Sequence, residues 1–369
     1  MESNFDVVAF LERAVAIGAS DVHLSVNEHP AIRKDGKIIK INMPPLTETD
    51  LDEAYGALLP GTISNEHLDS LFDLDFAYEI VGCARFRVNL SRQLGRYSLV
   101  IRTIPYEIKT PAELNLPKAI EQFSTLNNGL VLITGPTGSG KSTTIASLID
   151  YININYPKHI ITIEDPVEFI FNNRKCIVSQ RQIGVDTKSF PDGVKYALRQ
   201  DPDVIFIGEI RDRETVVSAL KAAETGHLVY ATIHTNDAVQ TVNRIVNMFD
   251  PADRLHVRAQ IASILRGTVS QRLVPINGAF GRRPAVELLV VTPTVKDFIE
   301  KDNLEEVYDL VKKGSFNNMI TMNMSLYNLY AEGIVTEEVA LEYSDNKNEL
   351  RQMFKGVYQG TASPKKDYQ

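Results

Sequence analysis

Cysteine is nearly absent: Cys83 and Cys176 are the only two in 369 residues. That is too few for a disulfide framework or a four-thiolate zinc site, and it suits a reducing compartment. Long apolar runs are missing as well. Stretches such as Leu130–Thr134 and Val204–Ile207 end far short of the ~18–20 residues that a membrane-crossing helix needs. Acidic Glu2 and Asp6 argue against a signal peptide at the N-terminus. Positive charge is in deficit, with 39 Lys and Arg against 47 Asp and Glu and a net charge of −8, so the chain carries no global electrostatic footprint for nucleic acid. Internal repeats and low-complexity blocks are not evident either. A cytoplasmic protein of two domains is the expectation, at ~100–200 residues per domain.

The first hundred residues alternate one helical pattern with several strand patterns. Val7, Val8, Leu11, Ala14 and Val15 recur at helical spacing and Gly18 closes the segment. Asp21–Val26, Ala84–Leu90 and Tyr97–Ile104 read as strands, the last two with basic and apolar residues on opposite faces. A small α+β domain is expected over residues 1–104. Pro105, Pro111 and Pro117 then punctuate a stretch read as a linker, 105–117. Beyond it, Leu130–Thr134, Ile160–Ile163, Val204–Ile207 and Leu228–Ile233 are continuous apolar runs separated by helical stretches. Such runs suit strands buried on both faces, so a parallel-rich α/β sheet is expected over 118–359. Helices are expected at Ser325–Ala331 and Thr336–Tyr343, and disorder over 360–369.

The first of those runs leads into Gly135–Ser142, GPTGSGKS, which fits G-x-x-x-x-G-K-[ST]. Gly135, Gly138 and Gly140 lack a Cβ, so the backbone can turn its N–H groups around phosphate oxygens. Lys141 brings a positive charge for the β and γ phosphates, and Ser142 a hydroxyl for Mg²⁺. The helix beginning at Lys141 aims its positive dipole end at the anion. ATP and Mg²⁺ are therefore the expected ligands, bound through Gly135, Pro136, Thr137, Gly138, Ser139, Gly140, Lys141, Ser142 and Thr143.

The other three runs end in polar residues: Glu164, Asp165 and Glu168 after the second, Glu209 after the third, His234 after the fourth. Ligands of open parallel sheets lie beyond the carboxyl ends of the strands, so these side chains are expected to converge on the phosphates. Glu164 is assigned to the attacking water as general base. Glu209 is assigned to Mg²⁺ through a coordinated water, and His234 to the γ phosphate.

GPTGSGKSTT from Gly135, ITIEDPVEF from Ile161, LRQDPDVIFIGEIRD from Leu198 and AAETGHLVYATIHTNDA from Ala222 resemble, in that order, the Walker A, Asp box, Walker B and His box motifs of the secretion and type IV pilus ATPase superfamily. With ASDVHL from Ala19 and IRKDGKI from Ile32, the chain is similar to the PilT/PilU retraction branch. The resemblance implies a PAS-like N-terminal domain, a RecA-like ATPase domain and a homohexameric ring. It implies nucleotide between the two domains, with arginines completing the site. Arg102 matches the family pattern, and Arg96 is the second choice because Leu94 occupies the usual arginine position. Hydrolysis would power pilus retraction at the inner face of the membrane. The partners would be a membrane platform protein, a paralogous retraction ATPase at most, and no nucleic acid. A pilus-assembly or type II secretion ATPase is the nearest alternative, and a RecA-like nucleic-acid motor a more distant one. The family's AIRNLIRE-like segment is replaced here by TVKDFIEKDNLEEV from Thr294, which looks like one solvated helix.

Overall fold

The structure is a computed structural model that describes residues 5–34, 36–59, 72–104, 107–279, 281–313 and 318–356. The tail expected to be disordered from Gly360, and Pro105 of the expected linker, lie outside the described residues. The chain divides into two compact units, 1–107 and 108–369.

In the first unit, helix α1 (Val7–Ala16) is capped by Asp6, whose carboxylate accepts from the Ala9 N–H at 3.0 Å. Then come β1 (Asp21–Ser25), β2 (Ala31–Lys34), β3 (Lys37–Lys40), α2 (Glu48–Leu58), β4 (Asp73–Ile80), β5 (Ala84–Gln93) and β6 (Arg96–Ile104). The strands form one sheet in the order β3-β2-β1-β6-β5-β4, and every pairing is antiparallel. Alternation along β5 buries Ala84, Phe86, Val88 and Leu90 and leaves Arg85 and Arg87 on the other face, half-buried. Leu94 and Gly95 make the β5–β6 turn with φ of 53° and 79°. Two positive φ values match the twist of the flanking strands. Leu94 accepts that strained conformation with a side chain 97% exposed.

The second unit opens with a 3₁₀ helix (Lys118–Thr125), β7 (Gly129–Thr134), α3 (Lys141–Asn155), β8 (His159–Glu164), β9 (Ile177–Gln182), α4 (Phe190–Ala197) and β10 (Val204–Ile207). It continues through α5 (Arg213–Glu224), β11 (Leu228–Ile233), α6 (Ala238–Asn247), α7 (Arg254–Ile264), β12 (Leu265–Pro275) and β13 (Arg282–Val290). Sheet order is β13-β12-β7-β11-β10-β8-β9. Only β13 runs antiparallel to its neighbour. β7, β10 and β11 are buried at every residue, as strands covered on both faces must be. One face packs Ile145, Leu148, Ile149 and Phe123 against Val131, Ile133 and Tyr230. The other packs α4 to α7 through Val194, Leu220, Val242 and Ile261. The Pro-spaced segment read as a linker belongs to this unit from Ile108 onward. Leu116 is buried and Ile108 and Leu114 are half-buried against the same cluster as α3.

Five helices close the chain: α8 (Pro293–Glu300), α9 (Leu304–Lys313), α10 (Met322–Ala331), α11 (Glu337–Glu342) and α12 (Lys347–Phe354). The single solvated helix expected from Thr294 is two helices instead. Asp302 turns between them at φ 62°, and Val295, Ile299, Leu304 and Val307 are buried. Charged residues alternate with those four, which is why the segment reads as solvated. Among the described residues no helix is long and apolar enough to cross a membrane.

Candidate active site

The loop after β7 is shaped by what its glycines leave out. Gly135 has φ 142°, and a Cβ there runs into the carbonyl oxygen of Gln271 and the Ser139 hydroxyl. Gly140 has φ 90°, and its Cβ falls 2.7 Å from Gln271 Nε2. A side chain at either position deforms the loop. Pro136, Thr137 and Gly138 form its exposed tip, Ser139 is buried, and Ser142 and Thr143 are half-buried in the first turn of α3.

Lys141 turns back under this loop, and only 8% of it is exposed. Its Nζ donates to the carbonyl oxygens of Gly135 at 2.9 Å and Pro136 at 3.0 Å, and lies 3.5 Å from His234 Nδ1. Burial pushes the ammonium below the ordinary lysine pKa, while the carboxylates of Glu209 and Glu168 push it back up. His234 Nε2 is 3.1 Å from Glu209 Oε1, and Arg211 Nε donates to Glu209 Oε2 at 2.7 Å. Lys141, His234, Glu209 and Arg211 thus form one chain of polar contacts across the ends of β7, β11 and β10.

Glu164 ends β8, the next strand over, and is 5% exposed. Burial raises its carboxyl from 4.5 to about 7, against the lowering effect of its hydrogen bonds. Thr162 Oγ1 donates to Oε1 at 2.6 Å, Gln180 Nε2 to the same oxygen at 3.4 Å, and the Glu168 N–H to Oε2 at 3.4 Å. A carboxyl held by three donors and titrating near neutrality has the properties of a general base.

A nucleoside triphosphate and Mg²⁺ suit these residues. The loop is a cradle that a Cβ at Gly135 or Gly140 destroys, the helix N-terminus faces it, and the buried Ser139 hydroxyl lacks a hydrogen-bond partner. Among the described residues no three His, Cys, Asp or Glu gather to hold a metal ion.

Arg102 and Arg96 belong to the first unit. Arg102 Nε donates to Asp21 Oδ1 at 2.9 Å with its side chain 66% exposed, and Arg96 is exposed beside the Leu94–Gly95 turn. Reading the sequence did not single out Arg211, Thr162, Gln180 or Gln271. Arg211 stands inside the quoted GEIRD string and Thr162 inside the quoted ITIEDPVEF string, whereas Gln180 and Gln271 follow no motif and are found only through their contacts.

A glycine loop between a buried parallel strand and a helix, with acids on the neighbouring strand ends, defines a P-loop nucleotide-binding α/β protein. Residues 85–341 match the family described as "Type II/IV secretion system protein", and the chain belongs to that family. It is 40% identical to the type IV pilus retraction ATPase PilT of Pseudomonas aeruginosa over 337 residues, covering 91% of this chain and 97% of that protein. It is 38% identical to the type IV pilus ATPase PilU of the same organism, covering 94% and 90%. A crystal structure of the pilus retraction motor PilT with bound ADP superimposes with a TM-score of 0.88 at 44% identity, covering 95% of this chain and all of that one.

Proposed function

We propose that this protein is a Mg²⁺-dependent ATPase that powers type IV pilus retraction as a homohexamer. The observation that carries the reading is similarity over nearly the full length of a retraction ATPase, joined to a phosphate loop whose lysine contacts a histidine that in turn meets a strand-end glutamate. The match covers 97% of the retraction ATPase PilT and 90% of the type IV pilus ATPase PilU.

The loop from Gly135 to Thr143 holds the β and γ phosphates by its N–H groups, and Lys141 exchanges its two backbone carbonyl partners for phosphate oxygens. Ser142 and Glu209 would hold Mg²⁺, the latter through water, and the ion would neutralise charge on the phosphate oxygens. Glu164 takes the proton of the attacking water, its carboxyl raised by burial to about 7. His234 lies between Lys141 and Glu209, so movement of the lysine onto phosphate changes its contacts and reports whether the γ phosphate is present. Arg102, with Arg96 second, supplies a guanidinium to the transferring phosphoryl group.

We place the protein at the cytoplasmic face of the membrane, against a platform protein and beside a paralogous ATPase where the organism has one. Residues 1–104 serve as a PAS-like module and 118–359 as the RecA-like motor. Deleting the gene tests the direction of work: hyperpiliated, non-twitching cells are expected, and bald cells refute retraction. In purified protein, Lys141→Ala is expected to lower turnover on the order of 10²–10³-fold; hydrolysis at the wild-type rate refutes the phosphate-loop assignment.

A further inference from the structure

Gln271 is 3% exposed and stands at the seam between the phosphate loop and β12. In the register of β12 against β7, Ser270 lies opposite Thr134, and the Thr134 hydroxyl donates to the Ser270 hydroxyl at 2.9 Å. Gln271 is therefore level with Gly135, the loop's first residue. Its main-chain oxygen occupies the place where a Cβ of Gly135 would stand. Its side chain points the other way along the loop, toward α3. There Oε1 accepts from the Thr144 hydroxyl at 2.7 Å, and Nε2 lies 2.7 Å from the Cβ position of Gly140. One residue thus touches the beginning of the loop, its end and the first turn of the helix.

Two details make this contact selective. A threonine in a helix commonly turns its hydroxyl back to the carbonyl four residues earlier. Here the Gly140 carbonyl receives the Thr144 N–H at 3.0 Å, while the hydroxyl is drawn sideways to Gln271. The next residue, Arg272, faces the opposite side of β12. It donates to the Tyr343 carbonyl and to the Asp345 carboxylate, which anchors the strand against the C-terminal helices.

We propose that Gln271 is the positioning residue of the phosphate loop, acting through Thr144 to hold the first turn of α3 and the loop's N–H groups in the curve that phosphate requires. The proposal rests on the nucleotide-binding reading above. It concerns no contact between Gln271 and the nucleotide: the amide works by fixing groups that touch phosphate.

The test uses the full chain and a fluorescent N-methylanthraniloyl derivative of ADP, measured on wild type, Gln271→Leu, Thr144→Val, the double variant and Thr144→Ser. Gln271→Leu and Thr144→Val are each expected to raise Kd about tenfold, the size of one lost hydrogen bond in a buried setting. The double variant is expected to bind no more weakly than the weaker single, because both remove the same interaction. Thr144→Ser keeps the hydroxyl and is expected to stay within twofold of wild type. A purely structural role lowers the melting temperature of the nucleotide-free protein and leaves Kd alone. Thr144→Val preserves volume and carries the test should Gln271→Leu not fold. Kd within twofold of wild type for both single variants, or losses that multiply in the double, overturns the proposal. Wild-type protein that fails to bind overturns the nucleotide reading and this role with it; tight binding by wild type and variants alike overturns only the role of Gln271.

Discussion

Two glutamates end neighbouring strands of one sheet and live in opposite surroundings. Glu164 is 5% exposed and meets only neutral donors, two side chains and one backbone N–H. Glu209 has a side chain 18% exposed, with a guanidinium on one oxygen and an imidazole on the other. Desolvation dominates at the first position, whereas at the second the carboxylate meets a guanidinium directly. The sheet therefore keeps one carboxyl close to its protonation midpoint near pH 7 and sets the other between a guanidinium and an imidazole. Such a division separates the moving of a proton from the holding of charge.

The sharpest way to break that comparison is to neutralise each acid in turn. Glu164→Gln is expected to cost on the order of 10³ in turnover, the usual span for a general base, with nucleotide affinity close to wild type. Glu209→Gln removes charge that Lys141, His234 and Arg211 all face, so it is expected to weaken nucleotide binding as well as turnover. Steady-state rates together with an equilibrium binding titration separate the two patterns. Identical effects on Kd from both variants contradict the division of roles.

A smaller effect sharpens it. If Glu164 is the base, kcat/KM climbs as pH rises through about 7 and then levels. The climb vanishes in Glu164→Gln and persists in Glu209→Gln. A wild-type profile flat from pH 6 to 8 removes Glu164 from the role.

The smallest effect is thermodynamic. Because burial raises Glu164 from 4.5 to about 7, the folded protein keeps a proton that the unfolded chain releases. Its stabilising contribution is complete below about pH 4.5 and is lost as pH rises through about 7. Glu164→Gln supplies a neutral side chain at every pH, so its melting temperature relative to wild type is expected to rise between pH 5 and pH 8. Glu209→Gln gives up its pairing with the largely exposed Arg211 guanidinium, worth ~0–1 kcal/mol.

Where the candidate site follows from neighbours in sequence, it was legible. Gly135 to Thr143 announces a phosphate loop because the strand, the turn and the helix N-terminus are contiguous, and Glu164, Glu209 and His234 are found by asking where buried strands end. Glu287 shows the limit. It is buried in β13, accepts from the Ala238 N–H at 3.0 Å, and is raised to about 7 by the same desolvation as Glu164. Nothing within several residues of it marks a special position. β9 and β12 were not singled out as strands, since IVSQRQ and LRGTVSQRLVP mix polar side chains that serve buried hydrogen bonds into what would otherwise be apolar runs. The break at Asp302 was hidden for the converse reason: charged residues along α8 and α9 outnumber the five buried apolar ones, Val295, Ile299, Leu304, Val307 and Val311. Arg102 was noticed for its charge, but its grip on Asp21, 81 residues away, is a property of strand register alone.

The pairing of β12 with β7 also has a temporal side. Thr134 and Ser270 are 136 residues apart, and a ribosome adding ~5–20 residues per second needs on the order of ten seconds to span that gap. For that interval β7, a central strand of the finished sheet, has an open edge, and the loop after it lacks the wall that Gln271 provides. During synthesis, then, the glycines and the lysine emerge well before the strand to which Gln271 belongs, and β13 and the five closing helices emerge later still.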